Sequence, residues 1–219
     1  MKMRYIGFFV IMFLLTCGSA ISQTKAEIEA VAVEQIDNLK NGTLLIKLNT
    51  QSERINNRLE TGQKKRAQKL IDEVEKEHAE IISAFENSYT FSNYYFFLSD
   101  DSNSVITKGV YKELFKVKGS NKGTVKNVEN PFVLILGVPP GQSSAVDKYK
   151  FVLYEIVDKK IKRCHRPIPH VFKTRNGFFQ SFGFLSQGYK FDYSVDKLNE
   201  RLIEFYKKSQ TEYYQKYLR

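Results

Sequence analysis

Cysteine, proline and glycine are scarce in this chain, and tryptophan is absent. The 219 residues include two cysteines, five prolines and twelve glycines. Two cysteines cannot form the framework of a disulfide-rich domain, and so little proline and glycine excludes a long flexible linker. With 42% hydrophobic and 26% charged residues, the composition is typical of a globular protein. It excludes a disordered chain, a collagen-like repeat and a multi-pass membrane protein.

The longest apolar run stands near the beginning of the sequence. Lys2 and Arg4 precede the run Tyr5–Leu15, and small residues follow it up to Ala20. This order is typical of a secretory signal peptide, and the run is shorter than the ~20 residues that a membrane-spanning helix needs. We therefore expect an exported protein, either periplasmic or surface-associated or secreted, that is cleaved after Ala20 or after Ser22.

Two alternatives to a cleaved signal stay open. One is an uncleaved membrane anchor, and the other is a lipoprotein modified at Cys17, although the residues before Cys17 fit such a site poorly. Loss of residues 1–22 removes two basic and no acidic residues, so the formal net charge of +10 becomes +8. One domain over 23–219 then remains, with Cys164 as its single cysteine. That thiol is either buried and inert or paired with a second chain.

Helical periodicity dominates the first half of the mature chain. Apolar residues at helical spacing predict a helix over 25–39 that stops at Asn41-Gly42. They also predict a shorter helix over 52–60, with Ser52 as its N-cap, and a long helix over 63–87. The long helix carries the strongest apolar stripe of the chain.

The junction of the last two helices is unusual in its charge. Gly62 predicts either a kink or a helix-turn-helix, and basic residues open the stretch that follows it, while acidic residues come later. Positive charge at a helix N-terminus opposes the helix macrodipole. Either tertiary packing holds this helix in place, or the basic group is really in mid-helix. These basic residues are Lys64, Lys65, Arg66 and Lys69.

Short runs of branched and aromatic residues predict the strands. The predicted strands are Thr43–Asn49, Tyr94–Leu98, Phe132–Val138, Phe151–Val157 and Ile161 to about Val171. Their runs do not alternate, which fits a sheet that is covered on both faces. Residues 158–160 predict a hairpin turn, and Ser194 is predicted to cap a final helix. Residues 108–118 are ambiguous, residues 119–131 predict a loop, and residues 178–191 are not assigned.

The order of these elements predicts a single α/β domain with a mixed sheet and flanking helices. The element order is loosely similar to that of a thioredoxin-like domain. The redox cysteine pair of that family is absent, so no thioredoxin activity follows from the similarity.

Polar residues follow two of the predicted strands, in the loops 99–104 and 141–144. If the two strands are parallel neighbours, these loops converge at the carboxyl edge of the sheet, where α/β folds place ligand sites. The candidate ligand-binding residues are Asp100, Asp101, Gln142, Ser143 and Ser144. Neither loop matches a calcium loop or a P-loop. The alternative is that these residues form turns by bonding to their own backbone.

A basic strip lies between residues 158 and 175, where Asp158 is the only acid. Its basic residues are Lys159, Lys160, Lys162, Arg163, Arg166, Lys173 and Arg175. A field of this sign favours an acidic partner, such as an acidic component of the cell envelope or an acidic protein. Aromatic residues are too few in the strip for single-strand stacking, and no nucleic acid is expected. The alternative is an ordinary solvated hairpin.

The histidines do not form a convincing metal site. Cys164, His165 and His170 are possible zinc ligands, but their spacing matches no zinc module, and neighbouring strand residues point to opposite faces. His78 lies on the apolar stripe of the long helix and is interpreted as a core histidine. We expect no metal and no cofactor.

Four segments resemble an uncharacterised family of exported proteins from Gram-negative, Bacteroidota-like bacteria. They are NGTLLIKL, YYFFLSDDS, VPPGQSS and RPIPHVFKTRNG, and the similarity spans residues 38–206, loosely between 105 and 130. The resemblance implies export and a single domain, and it implies no activity.

Two functions compete at this point, and a structural subunit is a third alternative. The first is a non-catalytic binding module of the cell envelope that uses the basic strip. The second is a hydrolase or small-ligand-binding enzyme with its site at the loops 99–104 and 141–144, which requires a carboxylate of raised pKa.

Overall fold

A computed structural model describes residues 24–116, 128–136, 150–164, 168, 171–173 and 189–211. Among these residues, the helices are α1 (Lys25–Asn41), α2 (Ser52–Glu60), α3 (Lys64–Ser88) and α4 (Tyr189–Ser209). The strands are β1 (Thr43–Leu48), β2 (Asn93–Leu98), β3 (Pro131–Leu136), β4 (Lys150–Val157), β5 (Lys160–Arg163) and β6 (Val171–Lys173). The predicted signal segment and its cleavage sites lie outside the described residues.

The strands form one mixed sheet in the order β2-β1-β3-β4-β5, and β6 also pairs with β4. Strand β1 is parallel to both β2 and β3. Strand β4 is antiparallel to β3, and β5 and β6 are antiparallel to β4. The predicted mixed α/β fold with flanking helices is therefore confirmed.

Both faces of the sheet are covered, as the unalternating strands predict. On the first face, side chains of α1, α3 and α4 form the larger apolar core with Leu44, Ile46 and Phe96. On the second face, Val105 and Leu114 belong to a smaller core with strand residues. This second cover comes from the segment that follows β2, which includes a π-helical turn over Asn103–Thr107.

The ends of α1 fix its direction relative to the sheet. Thr24 and Glu27 form a capping box at its start, which stabilises the first turn. Gly42 alone separates α1 from β1, so a helix that packs on the sheet must run back along β1. At this C-terminal end of α1, the Lys40 amine donates to the carbonyl oxygen of Phe91, just before β2, over 2.7 Å. Thr24 therefore lies towards the carboxyl end of β1.

The two predicted N-caps are wrong. Ser52 is the first residue of α2, and the N-cap position belongs to Gln51, which has a φ of 53°. Ser194 lies inside α4 and is buried. Phe191 extends the apolar stripe of α4 towards the N-terminus and packs against Phe151. A local capping pattern cannot include this contact, so it places the start of the helix too late.

The predicted strand from Ile161 to about Val171 is in fact two strands, β5 and β6, both paired with β4. Pro167 and Pro169 stand between them in the sequence and have no backbone N–H for a sheet. In the ambiguous segment 108–118, the described part contains one isolated bridge, between Phe115 and Phe96. Most of the predicted loop 119–131 and of the unassigned stretch 178–191 lies outside the described residues.

Candidate functional site

The carboxyl ends of β1, β2 and β3 meet at one edge of the sheet because the three strands are parallel. Strands β2 and β3 are not neighbours, however, since β1 lies between them. The condition under which the loops 99–104 and 141–144 would converge as neighbours is therefore not met, and residues 141–144 themselves lie outside the described residues. The segment that lies beside Ser99 and Asp100 is instead the one after β1, residues 49–52.

Four polar residues join these two segments, and we call them the carboxyl-edge clasp: Thr50, Ser52, Ser99 and Asp100. The Thr50 N–H donates to Ser99 Oγ over 3.0 Å. The hydroxyls of Thr50 and Ser52 donate to the two carboxylate oxygens of Asp100, over 2.7 Å and 2.6 Å. The clasp therefore holds together the two segments that follow β1 and β2.

These hydrogen bonds determine the charge state of Asp100. The hydroxyls of Ser52 and Thr50 lower the pKa of the Asp100 carboxyl, and the nearby Lys47 amine lowers it further. Burial lowers the pKa of Lys47, and the charge of Asp100 partly opposes that effect. Asp100 is therefore an ionised acceptor with both oxygens engaged, which is the opposite of the raised pKa that a general acid requires.

His78 holds the end of β1 against α3. It is buried, and its Nε2 lies 3.0 Å from the carbonyl oxygen of Asn49. Because a carbonyl oxygen can only accept, Nε2 carries the proton and donates it. The interpretation of His78 as a core histidine is confirmed.

Of the other four candidate ligand residues, only Asp101 lies within the described part of the chain. Asp101 ends a short 3-10 turn beside Asp100 and is partly exposed. Gln142, Ser143 and Ser144 lie outside the described residues.

Cys164 is a buried free cysteine in the larger core. Burial raises the pKa of its thiol, and the charge of Glu155 raises it further. The buried and inert alternative is thus the one that the structure shows. Across the described ranges, no group of three His, Cys, Asp or Glu side chains could hold a metal ion. His165 and His170 fall outside those ranges.

The predicted hairpin between β4 and β5 is confirmed, with a turn of two residues. Asp158 and Lys159 have φ values of 50° and 61°, as a type I′ turn requires. Lys159, Lys160 and Lys162 are exposed, and we call these three residues the basic hairpin. Ion pairs of these lysines do not occur within the described part of the chain.

The rest of the predicted basic strip is less well defined. Arg163 ends β5 and Lys173 ends β6. Arg166 and Arg175 lie outside the described residues.

A second basic surface was not predicted as a site. Helix α2, the turn at Gly62 and the start of α3 form a helix-turn-helix, and Gly62 has a φ of 73°. We call its cationic residues the basic tip: Arg54, Arg58, Lys64, Lys65, Arg66 and Lys69. The signal in the sequence was the run of positive charge at a helix start, which had been interpreted only as unfavourable to the helix.

The two basic surfaces stand at opposite ends of the sheet. Helix α2 follows the carboxyl end of β1, so the basic tip lies beyond that edge. Strand β4 runs against β3 and ends at the amino edge, so the basic hairpin lies at the other end. The two surfaces can therefore contact different partners at the same time.

Comparison with family models, with curated proteins and with solved structures finds no match to this chain. The resemblance to an exported bacterial family therefore stays a prediction, and so does the thioredoxin-like order of elements. Among the described residues, no helix combines the length and the apolar character needed to cross a membrane.

Proposed function

We propose that this protein is an exported, non-catalytic binding module of the cell envelope that docks an acidic partner through its basic hairpin. The observation that carries the proposal is the exposure of three lysines on one short hairpin, none of which forms an ion pair in the described part of the chain, although Glu155 stands opposite Lys162 in the strand register. Export itself rests on the predicted signal at residues 1–22.

The hairpin is a firm platform for such a contact. Strand β4 lies between β3 and β5, and its residues Phe151 and Leu153 are fully buried. A two-residue turn holds Lys159 and Lys160 close together at the end of the hairpin. Little conformational entropy is lost when a rigid backbone presents charge, so more of the electrostatic attraction is left for binding.

A structural explanation competes with this proposal. Strand β5 is the last strand in the order of the described sheet, and lysines on an edge strand prevent pairing with the edge of another sheet. Either sign of charge gives this protection, whereas an acidic partner requires positive charge. Charge reversal therefore separates the two explanations.

The catalytic alternative receives less support. It needs a carboxylate of raised pKa in the loop 99–104, and the pKa of Asp100 is lowered. Its two carboxylate oxygens already accept hydrogen bonds from the hydroxyls of Thr50 and Ser52. The clasp is therefore better explained as a structural link between the segments that follow β1 and β2.

The test is a charge reversal of the hairpin, Lys159→Glu with Lys160→Glu. Its matched control is Lys108→Glu with Lys112→Glu, two exposed lysines elsewhere on the molecule. The probe is immobilised heparin as an acidic polysaccharide, and the measurement is the salt concentration that elutes each protein. We expect the hairpin variant to elute at clearly lower salt than the control and to remain monomeric.

Equal elution of the two variants would show that only net charge matters and would reject the hairpin as a docking surface. Aggregation of the hairpin variant would also count against the proposal, because it would mean that lysine itself is needed to protect the edge.

A further inference from the structure

We propose that the basic tip docks the protein on an anionic phospholipid surface, with Leu59 entering the interface between headgroups and acyl chains. This surface is separate from the basic hairpin, so the inference goes beyond the proposed function.

The charge of the tip is strongly one-sided. The segment from Ser52 to Lys69 contains six basic residues and two acidic ones, Glu53 and Glu60. All six cations are exposed except Arg58, which is half-buried. The guanidinium of Arg58 donates to the carbonyl oxygen of Arg66 over 3.0 Å, a bond that neutralises no charge. A cluster of this kind next to a membrane is attracted by anionic headgroups.

Helix α2 contributes little to the fold. None of its residues is buried, and it packs chiefly along the start of α3. Ile55 is half-buried, while Leu59 is 46% exposed and lies next to Arg58. An exposed apolar side chain on a helix that also carries exposed cations is the arrangement of a helix that lies in the membrane interface.

The positive charge at the start of α3 also favours an anionic partner. Lys64 and Lys65 stand in its first turn, and no side chain caps that end. The macrodipole is positive there, so both lysines are in an unfavourable field. An anionic surface placed against this turn would relieve the repulsion, and neither lysine forms an ion pair within the described residues.

The exposed apolar side chain of α2 favours a bilayer over an acidic protein as the partner. An acidic protein would match only the positive charge of the tip, whereas a bilayer places acyl chains directly beneath its anionic headgroups. Leu59, which is 46% exposed on the same short helix as Arg54 and Arg58, is therefore matched by a bilayer.

The experiment measures binding of the full chain to two kinds of vesicle, pure phosphatidylcholine and phosphatidylcholine mixed with phosphatidylglycerol. The readout is the gain in affinity that phosphatidylglycerol causes, because any contribution of the apolar run is common to both vesicles. The test variant is Lys64→Glu with Lys65→Glu, and the matched control is Lys108→Glu with Lys112→Glu, which makes the same change in charge at two exposed lysines outside both basic surfaces. A third variant, Leu59→Ser, tests the apolar contact.

We expect the tip reversal to reduce the gain at least about tenfold, since each basic residue near an anionic surface contributes substantially to binding. The Lys108→Glu with Lys112→Glu control should change the gain by less than about threefold, and Leu59→Ser should reduce binding while its dependence on phosphatidylglycerol remains. Circular dichroism checks that each variant is folded.

Three results would overturn the inference. The tip variant could keep the full gain, or the Lys108→Glu with Lys112→Glu control could lose as much as the tip variant. Soluble polyglutamate could also bind in a manner that depends on the tip while phosphatidylglycerol vesicles do not, which would assign the tip to an acidic protein. The heparin experiment on the hairpin is unaffected by any of these results.

Discussion

The basic hairpin and the basic tip carry the same sign of charge on different structural foundations. The hairpin extends from β4, a strand with side chains in both cores of the molecule. The tip is built from α2, which has no buried residue, and from the exposed start of α3. The basic hairpin is therefore continuous with a strand of the core, whereas the basic tip stands on a helix that has no buried residue.

This difference changes what the positive charge means at each place. In the hairpin, lysines on an edge strand have a structural use as protection against sheet pairing. In the tip, Lys64 and Lys65 oppose the dipole of the helix that carries them. Charge that lowers the stability of its own element calls for an explanation outside the folded chain, so the tip is the more informative of the two surfaces.

The largest expected effect is on stability, and it compares β4, which carries the basic hairpin, with α2, which carries part of the basic tip. Leu153→Ala, in the fully buried part of β4, should lower the free energy of unfolding by about 2–5 kcal/mol because it opens a cavity in the core. Ile55→Ala, at a half-buried position of α2, should lower the free energy of unfolding by less than about 1 kcal/mol. Urea unfolding monitored by circular dichroism measures both. Similar losses of stability in the two variants would show that α2 supports the fold as much as β4 does. The hairpin and the tip would then not differ in how firmly they are held.

The next effect concerns the carboxyl-edge clasp, which links Ser52, the first residue of α2, to Asp100 after the end of β2. Asp100→Asn should lower stability by about 1 kcal/mol at neutral pH, since an amide is a weaker acceptor from Thr50 and Ser52 than a carboxylate. Asp101→Asn is the matched control, and it should change stability by less than about 0.5 kcal/mol.

The effect of Asp100 should also depend on pH. The folded state lowers the pKa of Asp100, so its contribution is complete above the ordinary aspartate pKa of about 4. It is lost as the pH falls from there through the lowered value of the folded state. The difference between the wild type and Asp100→Asn should therefore narrow in acid. A difference that stays constant would mean that the charge of Asp100 has no part in the clasp.

Much of the fold could be predicted because periodicity and strand runs depend on local sequence. The stripe of α3, the four longer strands and the hairpin turn followed from such patterns. The start of α4 did not, because it depends on the contact between Phe191 and Phe151. The division of the last predicted strand into β5 and β6 likewise depends on how each pairs with β4.

The candidate site shows the same limit more clearly. The sequence indicated that Asp100 stands at a carboxyl edge, but it could not show that β1 separates β2 from β3. Strand order is a long-range property, and it decides that the partners of Asp100 are Thr50 and Ser52. The exposed lysines of the hairpin needed only a local turn, so that surface could be predicted.

The smallest effect separates the two basic surfaces by its sign. Lys64→Glu with Lys65→Glu should raise the free energy of unfolding by about 1 kcal/mol at low salt, because acidic residues in the first turn of α3 favour the macrodipole. Lys159→Glu with Lys160→Glu makes the same change in net charge away from any helix N-terminus and should give no comparable gain. Thermal unfolding at low and high salt measures both, and the gain should shrink as salt screens it. Equal gains would attribute the effect to net charge alone, whereas a gain confined to the tip, together with weaker binding to anionic vesicles, would show that these lysines are kept at a cost to stability.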